Sequence, residues 1–355
     1  MPDEKVASPQ QLAFFASTAF RTAGVPQKPA DLCADALATT DVMGVHTHGT
    51  KLLAGYVRKL QAGGYQPAAV PQIEREGPGW AVINGNSCLG QVGCFHALDV
   101  GLSKAAKVGV AYIGLRNTGH IGAAGIYAAH AARNGCLCMV TGNDIPSVAA
   151  PGSRKAVLGS NPIALSVPVP DSNPILLDIA TAAVAGGKVY AAIQRGEEIP
   201  DTWLIGPDGH PTTDGKLYPQ QTALAPMAGH KGYGFGLWCE VLSAVVPGGR
   251  ITWEVGSWIF DDSSLPSAHN AGFVLISSDV VADPSTYRER IHKLVAEIRA
   301  AETARGTERI MLPGEREWAH VRHAEQHGIT LPADVVEKLQ EAARLTDQNP
   351  DWLCG

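Results

Sequence analysis

The spacing of apolar residues changes twice along this chain, and that change restricts its possible folds more than any other feature. Up to about Tyr65 the apolar positions recur at helical spacing. Ser8-Pro9-Gln10-Gln11 carries the signals of a helix start: Ser8 can cap, Pro9 suits the first turn, and Gln11 completes a capping box. That helix runs through LAFFASTAFRTAG to Gly24. A second covers PADLCADALATTDVM, and a third covers TKLLAGYVRKLQ and stops at Gly63-Gly64. Strand and helix patterns then alternate: WAVING a strand, GQVGCFHALDVGLSKAAKVG a helix, VAYIGL a strand, GAAGIYAAHAARNG a helix, CLCMV a strand. NPIALSVPV, PILLDIA and AGFVLISSD add strands, VAGGKVYAAIQRG adds a helix, and KGYGFGLWCEVLSAVV reads as a buried helix. Residues 201–230, rich in Gly, Pro, Asp and Thr, read as loop. From Asp283 the helical spacing returns, in PSTYRERIHKLVAEIRAAE, EREWAHVRHAEQHG and ADVVEKLQEAARL. The pattern predicts an α/β fold in three stretches. Residues 1–75 supply one part of a helical domain, 76–282 an α/β region, and 283–355 the helices that complete the helical domain.

With 355 residues, 45% of them hydrophobic, the chain is long enough for a large core and more than one domain. The net charge is -6 and no run of Lys or Arg occurs, which disfavours nucleic acid or an anionic membrane as partner. The 7 cysteines are scattered without a C-x-x-C. Cys136 and Cys138 alternate as buried strand residues would. Reduced thiols in a cytoplasmic protein are the simplest reading. The N-terminal MPDEKVASPQQ lacks the basic and apolar regions of a signal peptide. No apolar run approaches the roughly 20 residues that span a bilayer.

Neither G-x-G-x-x-G nor G-x-x-x-x-G-K-[ST] occurs. Several glycine-rich stretches do: GHIGAAG, PGSRKAVLGSNP, GHKGYGFG and PGERE. Glycine lets a backbone approach a ligand closely and present its N–H groups, although turns use it as often. His48 and His120 both stand just ahead of a predicted helix, where the positive end of the helix dipole favours a neutral imidazole that can accept a proton. His46 and His48 form an H-x-H, but a metal site needs a third and fourth ligand that no nearby motif provides. No metal is expected, and His46 reads as a neighbour without a chemical role. Asp178 ends an apolar strand, a common place for site acids. Lys231 opens an apolar helix, where it could meet a phosphate or carboxylate.

In order and spacing, THG (47–49), NTGHIGAAGIYA (117–128), LGSNPIAL (158–165), LDIAT (177–181), GGKV (186–189), IPDTW (199–203), KGYGFGL (231–237) and LPGERE (312–317) resemble the type 2 malate/L-lactate dehydrogenase family. That family includes ureidoglycolate dehydrogenase, diketogulonate reductase and piperideine-2-carboxylate reductase. The resemblance implies a non-Rossmann nicotinamide-binding fold, a homodimer with active sites near the subunit interface, and NADPH or NADH as cofactor. A hydride would pass between the nicotinamide and a carbon bearing a carbonyl, imine, hydroxyl or amine. His48 and His120 would handle the accompanying proton, with His120 also beside the cofactor. Thr47, Lys51, Leu52, Tyr56 and Asp144 would line the substrate. Asp178, Ile179, Ala180, Thr181, Lys231, Gly232, Gly314, Glu315 and Arg316 would hold the cofactor.

Three positions depart from the family pattern. Leu52 stands where an arginine usually pairs with the substrate carboxylate, Asp144 where a small hydroxyl residue is frequent, and Ala182 where a serine is frequent. An apolar residue for a cation and an acid for a hydroxyl both work against an anionic substrate. The leading expectation is an NAD(P)-dependent oxidoreductase acting on a 2-oxo or 2-hydroxy acid or a related compound, with Lys51 or Arg116 as substitute partners for a carboxylate. The alternatives are a cyclic or N-substituted imine reductase, a paralogue that keeps the fold without catalysis, and, least favoured, a metal-dependent hydrolase.

Overall fold

Ser8 starts the first helix as its neighbours in sequence dictate. Its hydroxyl accepts from the Gln11 N–H at 3.1 Å, and the Gln11 side chain accepts from the Ser8 N–H at 2.8 Å. The computed structural model describes residues 5–353; the first four residues of the leader reading and Cys354 lie outside them.

Strand β1 (Lys5–Ala7) leads into α1 (Pro9–Thr22), α2 (Gln27–Val42) and α3 (Leu53–Ala62). The alternating middle follows as β2 (Gln72–Gly77), β3 (Trp80–Asn84), α4 (Gly90–Val108), β4 (Val110–Thr118), α5 (Ala124–Arg133), β5 (Cys136–Gly142), β6 (Val148–Ala149), β7 (Ala156–Leu158), β8 (Ile163–Val167) and β9 (Ile175–Ile179). Next come α6 (Gly186–Arg195), β10 (Leu204–Ile205), β11 (Pro211–Thr212), β12 (Ala223–Leu224), α7 (His230–Glu240), β13 (His269–Ser277) and α8 (Ser278–Val281). The chain closes with α9 (Pro284–Arg299), α10 (Glu315–His327), β14 (Ile329–Leu331) and α11 (Ala333–Leu345).

The main sheet has 7 strands in the order β2-β3-β4-β13-β5-β8-β9. Its β3–β4 pair is parallel and is joined by α4; the other neighbouring pairs run antiparallel. Helices α4 and α5 cover one face. Ile83, Leu98, Ile113, Leu115, Tyr127 and Phe273 fill the space between. A second core draws on both ends of the chain: Leu12, Phe20, Leu37 and Tyr56 pack with Ile329, Val335 and Leu339. Each such side chain, removed from water, stabilises the fold by roughly 1.5–3 kcal/mol before entropy is counted. Strand β1 runs antiparallel to β14, with Lys5 opposite Leu331. Helix α9 rests elsewhere, on the turn between β8 and β9, where Tyr287 donates to the Pro168 carbonyl at 2.8 Å.

Three expectations need correction. Residues 201–230 are not all loop: β10, β11 and β12 join β6 and β7 in a small 5-stranded sheet. Their strands are two residues long, too short to show an alternating pattern. Strand β2 (QIEREG) went unread because it is a charged, exposed strand at the sheet edge. Helix α7 and the turn after it are not buried all round. Phe235, Trp238, Val245 and Val246 are exposed, Trp238 by 64%.

Candidate active site

One buried carboxylate holds the turn that carries His48. Asp41, on α2, accepts from the Thr50 N–H at 2.8 Å and from the Thr50 hydroxyl at 2.6 Å, and it pairs with His46 Nδ1 at 2.9 Å. Its side chain is fully buried, so these donors replace the water it has lost. Gly49 is required by the same packing, since a Cβ there would stand 2.2 Å from Asp41 Oδ1. His46 is therefore not a bystander: it is a fastener of the turn.

His48 stacks on His120, with ring centroids 5.9 Å apart and planes inclined by 27°. Thr47 is exposed, and its hydroxyl lies 3.0 Å from His48 Nδ1. His120 comes from the turn between β4 and α5. Trp258 covers its face at 4.7 Å, and His269 meets it edge-on at 5.6 Å. Tyr56, expected to face the substrate, is instead fully buried, with its hydroxyl 2.8 Å from His120 Nδ1. The Gln91 amide nitrogen lies 3.4 Å from the same hydroxyl, and the Gln91 carbonyl oxygen is buried without a partner. Tyr56 thus holds one nitrogen of His120 and leaves Nε2 for another partner.

Burial depresses both imidazoles. His120 falls well below its ordinary range, with loss of hydration first and His269 and His48 adding; Asp144 opposes. His48 also falls, from burial first and then from Lys51, again against Asp144. Both rings are neutral at neutral pH and able to take a proton.

Asp144 follows β5. Its Oδ1 accepts from the Ile145 N–H at 2.8 Å and meets His269 Nε2 at 3.1 Å. Burial works to raise this carboxyl. The hydrogen bond from His269, with the neighbouring imidazoles and the Ile145 N–H, outweighs it and holds Asp144 below the usual carboxylate range. His269 was not legible as a site residue: it opens β13 in a stretch, HNAGFV, without a motif. What places it is sheet order, because β13 lies between β4 and β5, which deliver His120 and Asp144.

The cations considered for a substrate carboxylate are both engaged. Lys51 Nζ lies 2.6 Å from Asp334 on α11, and Arg116 makes two bonds to Glu74, at 2.9 and 2.8 Å. Leu52 is half-buried and packs against the helical core.

The residues expected at the cofactor gather around β9 and its exit. Asp178 accepts from the Gly125 N–H at 2.7 Å in the first turn of α5. Part of it is open to solvent, yet the protein crowding it removes hydration and pushes its carboxyl up to about 6, with Gly125 opposing and Glu317 adding. Ile179 and Ala180 are half-buried beside it. Thr181 departs from expectation: it is buried, and its hydroxyl donates to the Ser160 and Asn161 carbonyls at 3.0 and 3.1 Å, so it serves the fold. Lys231 is exposed in the first turn of α7, whose N-cap, Gly229 at φ 65°, provides no side-chain cap. Gly232 is buried there. Gly314, at φ 91°, starts α10 against β9, and a Cβ would come within 3.0 Å of the Leu176 nitrogen. Glu315 pairs with Arg299 and Arg309 at 2.6 and 2.8 Å, while Arg316 is exposed. Among the described residues, no three His, Cys, Asp or Glu side chains are grouped to hold a metal ion. Among the described residues, no helix is long and apolar enough to cross a membrane.

Known proteins match this chain over nearly its whole length. The family profile described as malate/L-lactate dehydrogenase matches residues 7–340. The malate dehydrogenase of Pyrococcus horikoshii is 33% identical over 90% of this chain and 90% of its own. The Delta(1)-pyrroline-2-carboxylate/Delta(1)-piperideine-2-carboxylate reductase of Pseudomonas putida is 29% identical over 91% of this chain and 92% of its own. The solved sulfolactate dehydrogenase of Methanocaldococcus jannaschii superposes with a TM-score of 0.90 at 28% identity, covering 98% of each chain. The chain belongs to the malate/L-lactate dehydrogenase family and is an NAD(P)-dependent oxidoreductase.

Proposed function

We propose that this enzyme transfers a hydride between NADH or NADPH and a 2-oxo or 2-hydroxy acid or a close relative, with His120 and His48 managing the proton. The observation that carries the reading is the buried Tyr56–His120–His48 array, in which Tyr56 holds His120 Nδ1 at 2.8 Å and His48 stacks on the ring. In the oxidative direction, a neutral His120 takes the hydroxyl proton at Nε2. In the reductive direction, the imidazolium returns it to the forming oxyanion. The depressed affinity of this ring for protons makes that imidazolium a strong acid.

The residues around β9 suit a dinucleotide. The uncapped first turn of α7 offers free N–H groups with Lys231 beside them, a setting for phosphate. Asp178 can accept a ribose hydroxyl, and the left-handed Gly314 lets the backbone at Glu315 and Arg316 come close. The nicotinamide supplies or takes the hydride when bound. The mainly antiparallel sheet fits a non-Rossmann fold, with a helical domain built from both termini around residues 76–282. The exposed apolar face of α7, continued by Trp253 and by Phe260 at 74% exposure, suits a homodimer contact. A cytoplasmic enzyme fits the six described cysteines, all free and buried.

Imine reduction is the second reading. It is favoured by Asp144 in the histidine chamber and by the lack of a cation at Leu52, since a protonated imine is a cation. Fluorescence titration with NADH and NADPH, then cofactor oxidation with 2-oxo acids with and without amines, tests both. His120→Ala should lower kcat by about 100-fold or more, the usual worth of a positioned acid or base. Failure to bind either cofactor would leave a paralogue without catalysis.

A further inference from the structure

His269 belongs to a chain of buried polar groups whose directions can be worked out. The backbone N–H of His120 donates to the Tyr65 oxygen at 3.0 Å. Tyr65 is buried, and its phenol keeps its proton, because lost hydration pushes its pKa up to about 12. That O–H must donate, and the acceptor within reach is Ser267 Oγ at 3.1 Å. The Ser267 hydroxyl then gives its own proton to His269 Nδ1 at 2.9 Å. His269 is left with its proton on Nε2, aimed at Asp144 Oδ1 at 3.1 Å. Two other proton arrangements are possible, and each leaves a fault. A doubly protonated ring would turn Ser267 around and strand the Tyr65 proton in a buried place. The Nδ1–H form would set a bare nitrogen against a carboxylate.

Asp144 Oδ1 is therefore saturated by His269 and the Ile145 N–H, whereas Oδ2 has no hydrogen-bond partner among the described residues. The side chain is 29% exposed, and its charge is felt at both His48 and His120. We propose that His269 is a positioning residue, fixed as the Nε2–H tautomer, that holds Asp144 as the acceptor for a nitrogen-borne proton on the substrate. The substrate class is a compound with an N–H next to the reacting carbon: an iminium when reduced, a secondary amine when oxidised. This rests on the oxidoreductase reading for the ligand; the tautomer does not depend on it.

Two measurements on the full chain decide the matter. In the first, long-range proton–nitrogen correlation spectra of ¹⁵N-histidine protein are recorded, with the His269 signals assigned by their loss in His269→Gln. At the pH of the activity assay they should show a proton on Nε2 and a bare Nδ1, as the bonds from Ser267 and to Asp144 require. A doubly protonated ring or the Nδ1–H tautomer overturns the proposal whether or not the enzyme turns over. In the second, kcat and KM are measured for NAD(P)H oxidation with a 2-oxo acid alone and with methylamine. Asp144→Asn and His269→Phe should both lower the ratio of amine-dependent to amine-independent kcat/KM by about tenfold, the worth of one charge-assisted bond. Much of the change should be in KM. Equal losses in both reactions, or a ratio that stays within about twofold in either variant, overturns the assignment. A wild type inactive in both reactions counts against the oxidoreductase reading and the substrate half of this proposal together, and the spectra still decide the tautomer.

Discussion

Replacing Asp41 by alanine removes the acceptor for both Thr50 donors, and Thr50 is fully buried. Each stranded buried donor costs about 1–3 kcal/mol, and the lost His46 contact adds less because that ring is part-exposed. The expected loss is about 3–4 kcal/mol, read as a melting temperature lowered by about 5 °C or somewhat more in a chain of this size. Asp41→Asn should behave differently. Its amide can turn so that the oxygen still accepts both Thr50 donors while the nitrogen donates to His46 Nδ1, and most of the stability remains. Function should follow the turn: with it loosened, His48 no longer stacks on His120, and kcat should drop about tenfold or more in Asp41→Ala but only a few-fold in Asp41→Asn. Differential scanning calorimetry of the two variants, paired with steady-state kinetics, checks this. If alanine costs less than about 1 kcal/mol, the buried clamp is not what holds the turn. If asparagine costs as much as alanine, negative charge and not hydrogen-bond geometry is the active ingredient.

Gly49→Ala should fail in the same way as Asp41→Ala, because its Cβ would press at 2.2 Å on a carboxylate that its own donors keep from moving; thermal melts would show a loss of several degrees. Because burial holds His120 below its ordinary range, kcat/KM for oxidation should stay on its plateau as pH falls to about 6.5 and decline only below it; an acid limb centred above 6.5 would contradict the assignment. Asp178 has the opposite sign. Its folded pKa of about 6 lies above the ordinary 3.8, so its contribution is full at low pH and is lost as pH rises from about 4 through 6. Asp178→Asn, melted without cofactor, should match or trail the wild type near pH 4 and surpass it above pH 6. Leu52→Arg should raise kcat/KM for 2-oxo acids by about tenfold, by giving the carboxylate a bidentate partner, as progress curves with NAD(P)H would show.

Helix positions were legible because they rest on local rules. The Ser8–Gln11 capping box formed as its residues require, and the alternation of Cys136 and Cys138 put both inside β5. The missed elements are those without a local signal: β2 has no apolar face, and β10 to β12 are too short to show one. The site divides along the same line. His48 and His120 stand in glycine-marked turns next to helices, which a sequence displays. Asp41 is an ordinary acid in the last turn of α2, nine residues before the Thr50 it binds, and His269 reaches Asp144 across 125 positions. Such residues are recruited by the sheet and the helix packing, and composition or spacing carries no trace of them. Tyr56 shows the converse: the motif displays its position, and only the packing shows its buried hydroxyl turned onto His120.

The same packing bears on what enters the chamber. Three imidazoles, His48, His120 and His269, stand around one carboxylate, and burial keeps the first two neutral. On the proposed reading, Asp144 is therefore the charge that a substrate meets beside the two rings that handle the proton. At about 4 Å, an anion beside it is opposed by roughly 1–4 kcal/mol, depending on how far water screens the pair, and a cation gains a similar amount. A substrate carboxylate could tolerate Asp144 if a guanidinium answered it from the turn before α3, but Leu52 offers none, and Lys51 and Arg116 are already paired with Asp334 and Glu74. Freeing Lys51 would mean breaking an exposed ion pair, worth at most about 1 kcal/mol. Lys51 thus remains recruitable by an acid, whereas the bidentate pair of Arg116 is harder to release. A carboxylate held at a distance by Lys51, with a protonated nitrogen at Asp144, satisfies both ends of the chamber at once. On the proposed reading, a dicarboxylic 2-oxo acid satisfies neither end as well.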